Sequence, residues 1–273
     1  MKILVVANEN KPEALQFAEV VKSFCDTCKC ECRVSVSKQD VLAKDGNYDE
    51  DFVIVLGGDG TVINTVHRLG YRRQHKMLNV NVGHLGYMTG TSKEGFYEAF
   101  HSILSGKAKF QKRWLLKCVE TVIGFKTREF YALNEFICAP KRVGNIVKVV
   151  VGINGKHLST IAGDGVIIST PTGSTAYALS AGGPIMSPNV QGMVLVPICP
   201  HQLSNRPIVL SKDDEINVSL DAESRQSFQL CYDGYEEVLD PDVLTISLSG
   251  KCVMMYRGDE DEYGLVRSKL GWK

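Results

Sequence analysis

VIVLGGDGTVIN, residues 53 to 64, joins an apolar run to a glycine turn and then to a stretch with helical spacing. FVIVL, from Phe52 to Leu56, is apolar at every position, as a central parallel strand covered on both faces requires. A strand that ends in glycines and passes straight into a helix is the building unit of a doubly wound sheet. In such sheets ligands bind beyond the carboxyl ends of the strands. Gly57, Gly58 and Gly60 are read as letting the main chain adopt positive φ and approach a phosphate closely, with Thr61 as the helix N-cap. Asp59 is the anomaly, because a carboxylate repels phosphate. It makes chemical sense if the partner is a hydroxyl that must lose its proton, or a metal ion travelling with phosphates.

Two familiar phosphate motifs are excluded by inspection. No Lys-Ser/Thr pair follows the glycines, so this is not a Walker A loop, and Ile63 stands where a dinucleotide fingerprint needs its third glycine. The acid expected near the end of the next strand is missing as well.

Around this turn the first hundred residues alternate strand and helix signals: KILVVAN, PEALQFAEVVKSF, FVIVL, TVINTVHRL, KMLNVNVG and KEGFYEAFHSILSG. The expected fold is therefore an α/β N-terminal domain, residues 1–106, with a small doubly wound, mostly parallel sheet. After Gly106 the signals become short strands with turn chemistry at INGK and YDGY, which predicts a β-rich C-terminal domain over 107–273. A single helical start interrupts it, at STAYALSA, and the charged tail after Arg257 carries no clear signal.

The chain has 273 residues, with Lys plus Arg (31) equal to Asp plus Glu (31), so no global field favours nucleic acid or an anionic membrane. Phosphate binding must be local. No segment reads as a signal or membrane span, which makes the cytoplasm the expected compartment. Nine cysteines, an odd number, fit reduced thiols better than a disulfide framework. CDTCKCEC places Cys25, Cys28, Cys30 and Cys32 within eight residues. No second Cys/His pair has zinc spacing, and strand alternation would put Cys28, Cys30 and Cys32 on one face, so free thiols without a structural metal are expected.

In the second domain, GDGVIISTPTGSTAYALSAGGP (163 to 184) packs polar and glycine residues beside a strand and ahead of a helix. Thr170, Thr172, Ser174 and Thr175 offer hydroxyl donors and Tyr177 an aromatic face. Asn134-Glu135, a polar pair inside FYALNEFICA, marks either an edge strand or a ligand-facing bulge.

These segments together resemble the NAD kinase family. GGDGT is matched by Gly57 to Thr61, the Asn-Glu pair by Asn134 and Glu135, and TPTGSTAY by Thr170 to Tyr177, in that order; NVGHLGY (81 to 87) and CPHQLSNRPIV (199 to 209) also match. The resemblance implies phosphorylation of the adenosine-ribose 2′-hydroxyl of NAD by ATP, giving NADP, with a divalent metal, Mg2+ by analogy, and a homodimer or homotetramer. It implies that Asp59 receives or orients the hydroxyl proton while Gly57, Gly58, Gly60 and Thr61 accommodate phosphates. Asp59, Gly60, Tyr87, Asn134, Glu135, Asp164, Thr175, Ala176, Tyr177, Ser180 and Asp233 are implied to line the NAD site. Ala162, Asn145 and Tyr235 depart from common family residues, which bears on the choice between NAD and NADH. Two other readings share features: a diacylglycerol- or sphingosine-type lipid kinase, opposed by TPTGSTAY and by the lack of a basic amphipathic helix, and an NAD(P)-sensing module, which would not need Asp59.

Overall fold

The computed structural model describes residues 1–36, 49–71, 73–83, 86–88, 90–124, 127–141, 145–221, 228–237, 239, 241–258 and 262–272. His84 and Leu85 of NVGHLGY, Gln226 and Ser227 of the strand signal QSFQLCYDG, and Asp259 to Asp261 of the charged tail lie outside the described residues. The chain divides into two compact units, Met1–Lys112 with Val253–Lys273, and Arg113–Cys252. These bounds differ from the expected 1–106 and 107–273 in one respect that matters: the end of the chain groups with the first unit.

In the first unit, β1 (Lys2–Ala7), α1 (Pro12–Thr27), β2 (Glu31–Val36), β3 (Phe52–Gly57), α2 (Asp59–Leu69), β4 (Lys76–Asn81), the two-residue β5 (Thr91–Ser92) and α3 (Phe96–Leu104) follow in order. The strands stand β2-β1-β3-β4 and are all parallel. FVIVL is wholly buried, as its pattern demands. Helix α1 buries Ala14, Ala18, Val21 and Cys25, a stripe at helical spacing that packs with Ile3, Val5, Phe96 and Phe100. From β1 the chain pairs first on one side with β2 and then on the other with β3. That reversal is the topological switch point of the sheet, and the crevice it opens lies beyond the carboxyl ends of β1 and β3.

The cysteine group falls largely off the strand. Only Cys32 lies in β2; Cys30 is buried just before it and Cys28 ends α1, because Lys29 turns the chain in the left-handed region at φ 55°. The expected common strand face is thus not formed. Cys25, buried on α1, is hydrogen-bonded to the Cys32 thiol; that bond, then burial, push the Cys25 thiol far up, while the same bond draws Cys32 down.

The second unit contains most of β6 (Lys109–Thr121), then β7 (Arg128–Ala132), β8 (Glu135–Pro140), β9 (Val147–Ile153), β10 (Lys156–Gly163), β11 (Gly165–Ser169), a 3-10 turn (Gly173–Thr175), α4 (Tyr177–Ser180), β12 (Gly192–Ile198), β13 (Ile208–Ser211), β14 (Glu215–Leu220), β15 (Phe228–Tyr232), β16 (Tyr235–Glu237) and the start of β17 (Val243–Arg257). One sheet runs β13-β12-β11-β8-β15-β16; a second includes β10, β9, β14 and β17. Phe136, Ile168 and Leu195 of the first meet Val149, Val218 and Leu244 of the second in one core, the arrangement of two packed antiparallel sheets. The last residues of β17 belong to the first unit, where Met254 and Met255 pair in parallel with β4, and α5 (Glu262–Leu270) follows there.

The single helix expected at STAYALSA is broken in two. The 3-10 turn Gly173–Thr175 is separated from the one-turn α4 by Ala176, whose φ and ψ of −97° and −130° are not helical. Ser174 anchors the turn: its Oγ donates to the Pro171 carbonyl at 2.7 Å and accepts from the Met186 amide at 2.9 Å, tying it to the chain beyond the helix.

Candidate active site

In the first unit, α2 starts at Asp59 with Gly58 as N-cap, so Thr61 is not the cap. Its hydroxyl instead accepts from Asn8 Nδ2 at 2.8 Å, while the Asn8 amide donates to the Leu56 carbonyl at 3.0 Å. Asn8 therefore stitches the ends of β1 and β3 together across the switch-point crevice. The glycines serve a different purpose from the expected one, since none of Gly57, Gly58 and Gly60 has positive φ. A Cβ on Gly57 would overlap Thr61, whereas one on Gly58 or Gly60 would meet nothing within 4 Å. Gly57 is needed for close packing, and the other two leave open space above the first turn of α2, where the Thr61 amide already donates to the Gly58 carbonyl at 2.9 Å and those of Asp59 and Gly60 precede any intrahelical acceptor.

The Asp59 carboxylate is held by a distant loop. Oδ2 accepts from the Tyr87 amide at 2.8 Å and Oδ1 from the Met88 amide at 2.9 Å. The loop is fastened from its other side by buried Asn79, whose Nδ2 donates to the Met88 carbonyl at 2.8 Å, and at its start by Asn81, whose Nδ2 donates to the Gly83 carbonyl at 3.0 Å. Lys11 Nζ donates to the Val82 carbonyl at 2.8 Å. Asn8, Lys11, Asn79 and Asn81 were not singled out from the sequence. The signal was present in KMLNVN, where two asparagines interrupt a strand that is otherwise apolar. Tyr87 carries Lys269 of α5 over its ring, 5.7 Å from the centroid, and burial followed by the Asp59 charge pushes its phenol above the usual value.

In the second unit the Asn-Glu pair sits at a corner between β7 and β8. Because β8 lies between β11 and β15, the edge-strand reading is overturned. The corner's carbonyls are taken up by TPTGSTAY: the Thr170 amide donates to the Asn134 carbonyl at 2.8 Å and Thr170 Oγ1 to the Leu133 carbonyl at 2.6 Å. Gly173 lies so close that a Cβ on it would overlap the Asn134 carbonyl. The corner's amides are taken up by Asp233, which accepts from Leu133 at 2.5 Å, Asn134 at 2.8 Å and, more weakly, Glu135 at 3.4 Å. With its main chain satisfied, the corner still presents two buried side-chain atoms, Asn134 Oδ1 and Glu135 Oε2, that have no partner among the described residues. Burial, and then the Asp233 charge, push the Glu135 carboxyl up to about 8. It is therefore mostly protonated at neutral pH.

The hydroxyls of Thr170 and Ser174, expected as ligand donors, are spent inside the fold: both residues are fully buried and internally bonded. Thr175 Oγ1 likewise donates to the Thr172 carbonyl at 3.3 Å. Tyr177 is the exposed member of the segment, 44% accessible, with Ser180 exposed on the same short helix. Asp164 is exposed at the start of β11, while Thr170 follows its end, roughly 20 Å away at strand rise. It does not join the corner. Among the described residues no three His, Cys, Asp or Glu side chains are grouped to hold a metal ion.

The ATP-NAD kinase N-terminal domain model matches residues 39–108, and the C-terminal domain model residues 133–257. The chain belongs to the NAD kinase family. It is 33% identical over 282 residues to the NAD kinase of Syntrophotalea carbinolica, covering 99% of this chain and 98% of that protein. It is 32% identical to the NAD kinase of Aquifex aeolicus, with all of both chains covered. Two solved structures share the fold. One is yeast NADH kinase complexed with NADH (TM-score 0.84, 23% identity, 100% of this chain and 88% of that one). The other is an NAD kinase from Archaeoglobus fulgidus in complex with ATP (TM-score 0.79, 24% identity, 98% and 99%). Membership in this family excludes the lipid-kinase reading as the origin of the glycine turn.

Proposed function

We propose that the protein is an ATP-dependent NAD kinase, transferring the terminal phosphate of ATP to the 2′-hydroxyl of the adenosine ribose of NAD. The observation that carries the reading is the Asp59 carboxylate, oriented by two main-chain amides at the start of a helix in the switch-point crevice. A ribose hydroxyl is a weak nucleophile at neutral pH. It needs alignment with the donor phosphorus and an acceptor for its proton. In the reaction the 2′-oxygen forms the new P–O bond, the bond from the γ-phosphorus to the β-bridging oxygen breaks, ADP leaves, and the proton passes to Asp59.

The open space over Gly58 and Gly60, beside the Asp59 and Gly60 amides and the positive dipole of α2, suits phosphate oxygens. The Asn134-Glu135 corner supplies groups for the nucleoside: Asn134 Oδ1 can accept, and a protonated Glu135 can donate as well as accept, which matches ribose hydroxyls. Tyr177 offers a face for the base, with Thr175, Ala176 and Ser180 beside it. Asp164, away from the corner, is assigned to the nicotinamide end. A divalent ion such as Mg2+ would be carried on the nucleotide phosphates rather than in a dedicated protein cage. Such an ion neutralises phosphate charge. A cytoplasmic homodimer or homotetramer is the accompanying expectation, and no described helix is long and apolar enough to cross a membrane.

Incubation with ATP, magnesium and NAD, with NADP measured by an NADP-specific dehydrogenase, tests the reading. NADP formation is expected. Binding of NAD without turnover would favour the sensing module instead, and turnover of NADH in place of NAD would reassign the acceptor.

A further inference from the structure

We propose that Asp233 is a positioning residue for nucleoside binding that acts through the main chain of Leu133, Asn134 and Glu135 rather than by touching NAD. The inference rests on the NAD kinase reading and replaces the direct contact expected for this residue.

Three amides in succession point at one carboxylate, at 2.5, 2.8 and 3.4 Å, across about a hundred residues of sequence. Charge-assisted bonds of this kind are stronger than ordinary amide–carbonyl bonds and hold the donor peptide planes in fixed orientation. On the opposite side, Thr170 and Ser169 bond the carbonyls of Leu133 and Asn134, so the corner is clamped from both faces. What the clamp leaves over is the pair of unpartnered atoms, Asn134 Oδ1 and Glu135 Oε2. Their direction depends on the backbone that Asp233 holds.

Asp233 reaches this position through a backbone conformation that most side chains avoid. It stands in the left-handed region, φ 48°, at the β15–β16 turn, followed by Gly234 at φ 88°. Asp and Asn tolerate that region better than other non-glycine residues. A turn there could equally be built with glycine; an acid at this point is explained by what its carboxylate accepts. The Asp233 charge has a second consequence, because it is the charged group facing Glu135. Across β11 the facing residues are the uncharged Ser169 and Thr170, and Tyr232 precedes Asp233 on β15. Burial and this charge together favour the protonated Glu135 carboxyl.

The test uses Asp233→Asn, which keeps the left-handed turn and one acceptor oxygen but removes the charge. The KM for NAD is expected to rise about tenfold or more, with kcat within about threefold and the KM for ATP nearly unchanged. The decisive arm repeats Asp233→Asn in an Asn134→Ala/Glu135→Gln background. If Asp233 acts through the corner, it adds nothing there; an undiminished, additive rise in KM would assign direct contact with NAD and overturn the proposal. Infrared titration of the Glu135 carboxyl, identified by its loss in Glu135→Gln, adds a readout that a purely structural role would not move. Its midpoint should fall in Asp233→Asn, and an unmoved midpoint counts against the clamp. Should Asp233→Asn not fold, Asp233→Glu displaces the carboxylate by one methylene and is read by the KM arms alone, since it keeps the charge that raises the Glu135 midpoint. A wild-type protein that makes no NADP sinks the kinase reading; one that makes NADP while Asp233→Asn keeps its KM sinks only this proposal.

Discussion

Each unit contains one aspartate whose carboxylate accepts successive main-chain amides from a loop far away in sequence, yet the two latches work in opposite directions. In the first unit the amides of Tyr87 and Met88 serve the acid: they orient Asp59, the proposed acceptor of the hydroxyl proton. In the second the acid serves the amides: Asp233 orients Leu133 to Glu135, and the neighbouring side chains of Asn134 and Glu135 are left with unmet hydrogen-bonding capacity. On the proposed reading the same bond marks a reacting group in one place and a support in the other. Unpartnered buried atoms occur beside both latches, at Asn134 Oδ1 and Glu135 Oε2 in the second and at Asn79 Oδ1 and Asn81 Oδ1, in the two residues that fasten the loop of the first. What separates the latches is therefore the kind of group each one orients, a carboxylate in one and a stretch of main chain in the other.

The largest expected effect breaks the first latch. Asp59→Asn keeps the size of the side chain but removes its charge and most of its basicity, and a positioned base contributes about 10²- to 10⁴-fold. Steady-state assay should show kcat reduced in that range, with NAD affinity within roughly tenfold, or 1.4 kcal/mol. A near wild-type rate would reduce Asp59 to a fastener of the 86–88 loop, the same kind of residue as Asp233.

A smaller effect is expected where the second latch is jammed from its carbonyl side. Gly173→Ala drives a Cβ into the Asn134 carbonyl, a main-chain group that cannot swing aside as the end of a flexible side chain would. Overpacking of this kind typically costs about 1–3 kcal/mol. Thermal unfolding should show a lower Tm together with a raised KM for NAD, whereas Gly58→Ala, with open space around it, should leave Tm nearly unchanged.

Glu135 sharpens the comparison through pH. Its carboxyl lies at about 8 in the folded protein against an ordinary value of 4.5. Between these values the unfolded chain has released the proton and the folded one retains it, so the native state binds more protons. Stability contributed by this group is therefore highest below pH 4.5, is lost as pH rises toward 8, and changes no further above that. Glu135→Gln cannot ionise. Its Tm relative to wild type, in ligand-free protein, should rise steadily from pH 5 to pH 8; a constant difference would mean that Glu135 is ionised throughout.

The smallest effect concerns α5. Lys269 over the Tyr87 ring is an exposed cation–π contact, worth about 0.5–1 kcal/mol. Lys269→Ala should alter the KM for ATP or NAD by no more than about fivefold, and a larger loss would promote the C-terminal helix to part of the phosphate site.

Much of the fold was legible because it rests on local patterns. FVIVL had to be a covered strand, the glycine turn had to lead into a helix, and the short alternating signals after Gly106 had to form antiparallel sheets. Errors arose where a residue type was read for its intrinsic preference. Thr61 has the chemistry of an N-cap but bonds Asn8 instead, and the hydroxyls of Thr170 and Ser174 turned inward to satisfy main-chain groups. Glycines expected to supply positive φ supply space. In each case the local propensity was real, but a tertiary partner outweighed it.

The residue sequence by itself determined the family, the strand–turn–helix around Asp59 and the positions of the two acidic residues compared above. Only the tertiary structure decided what those acids bond to, because their partners are backbone N–H groups. Every residue except proline carries one, so such a partner leaves no mark in the residue alphabet. Asp59 finds its amides 28 and 29 positions away, and Asp233 finds its own 98 to 100 positions away, through the return of distant loops to the ends of neighbouring strands.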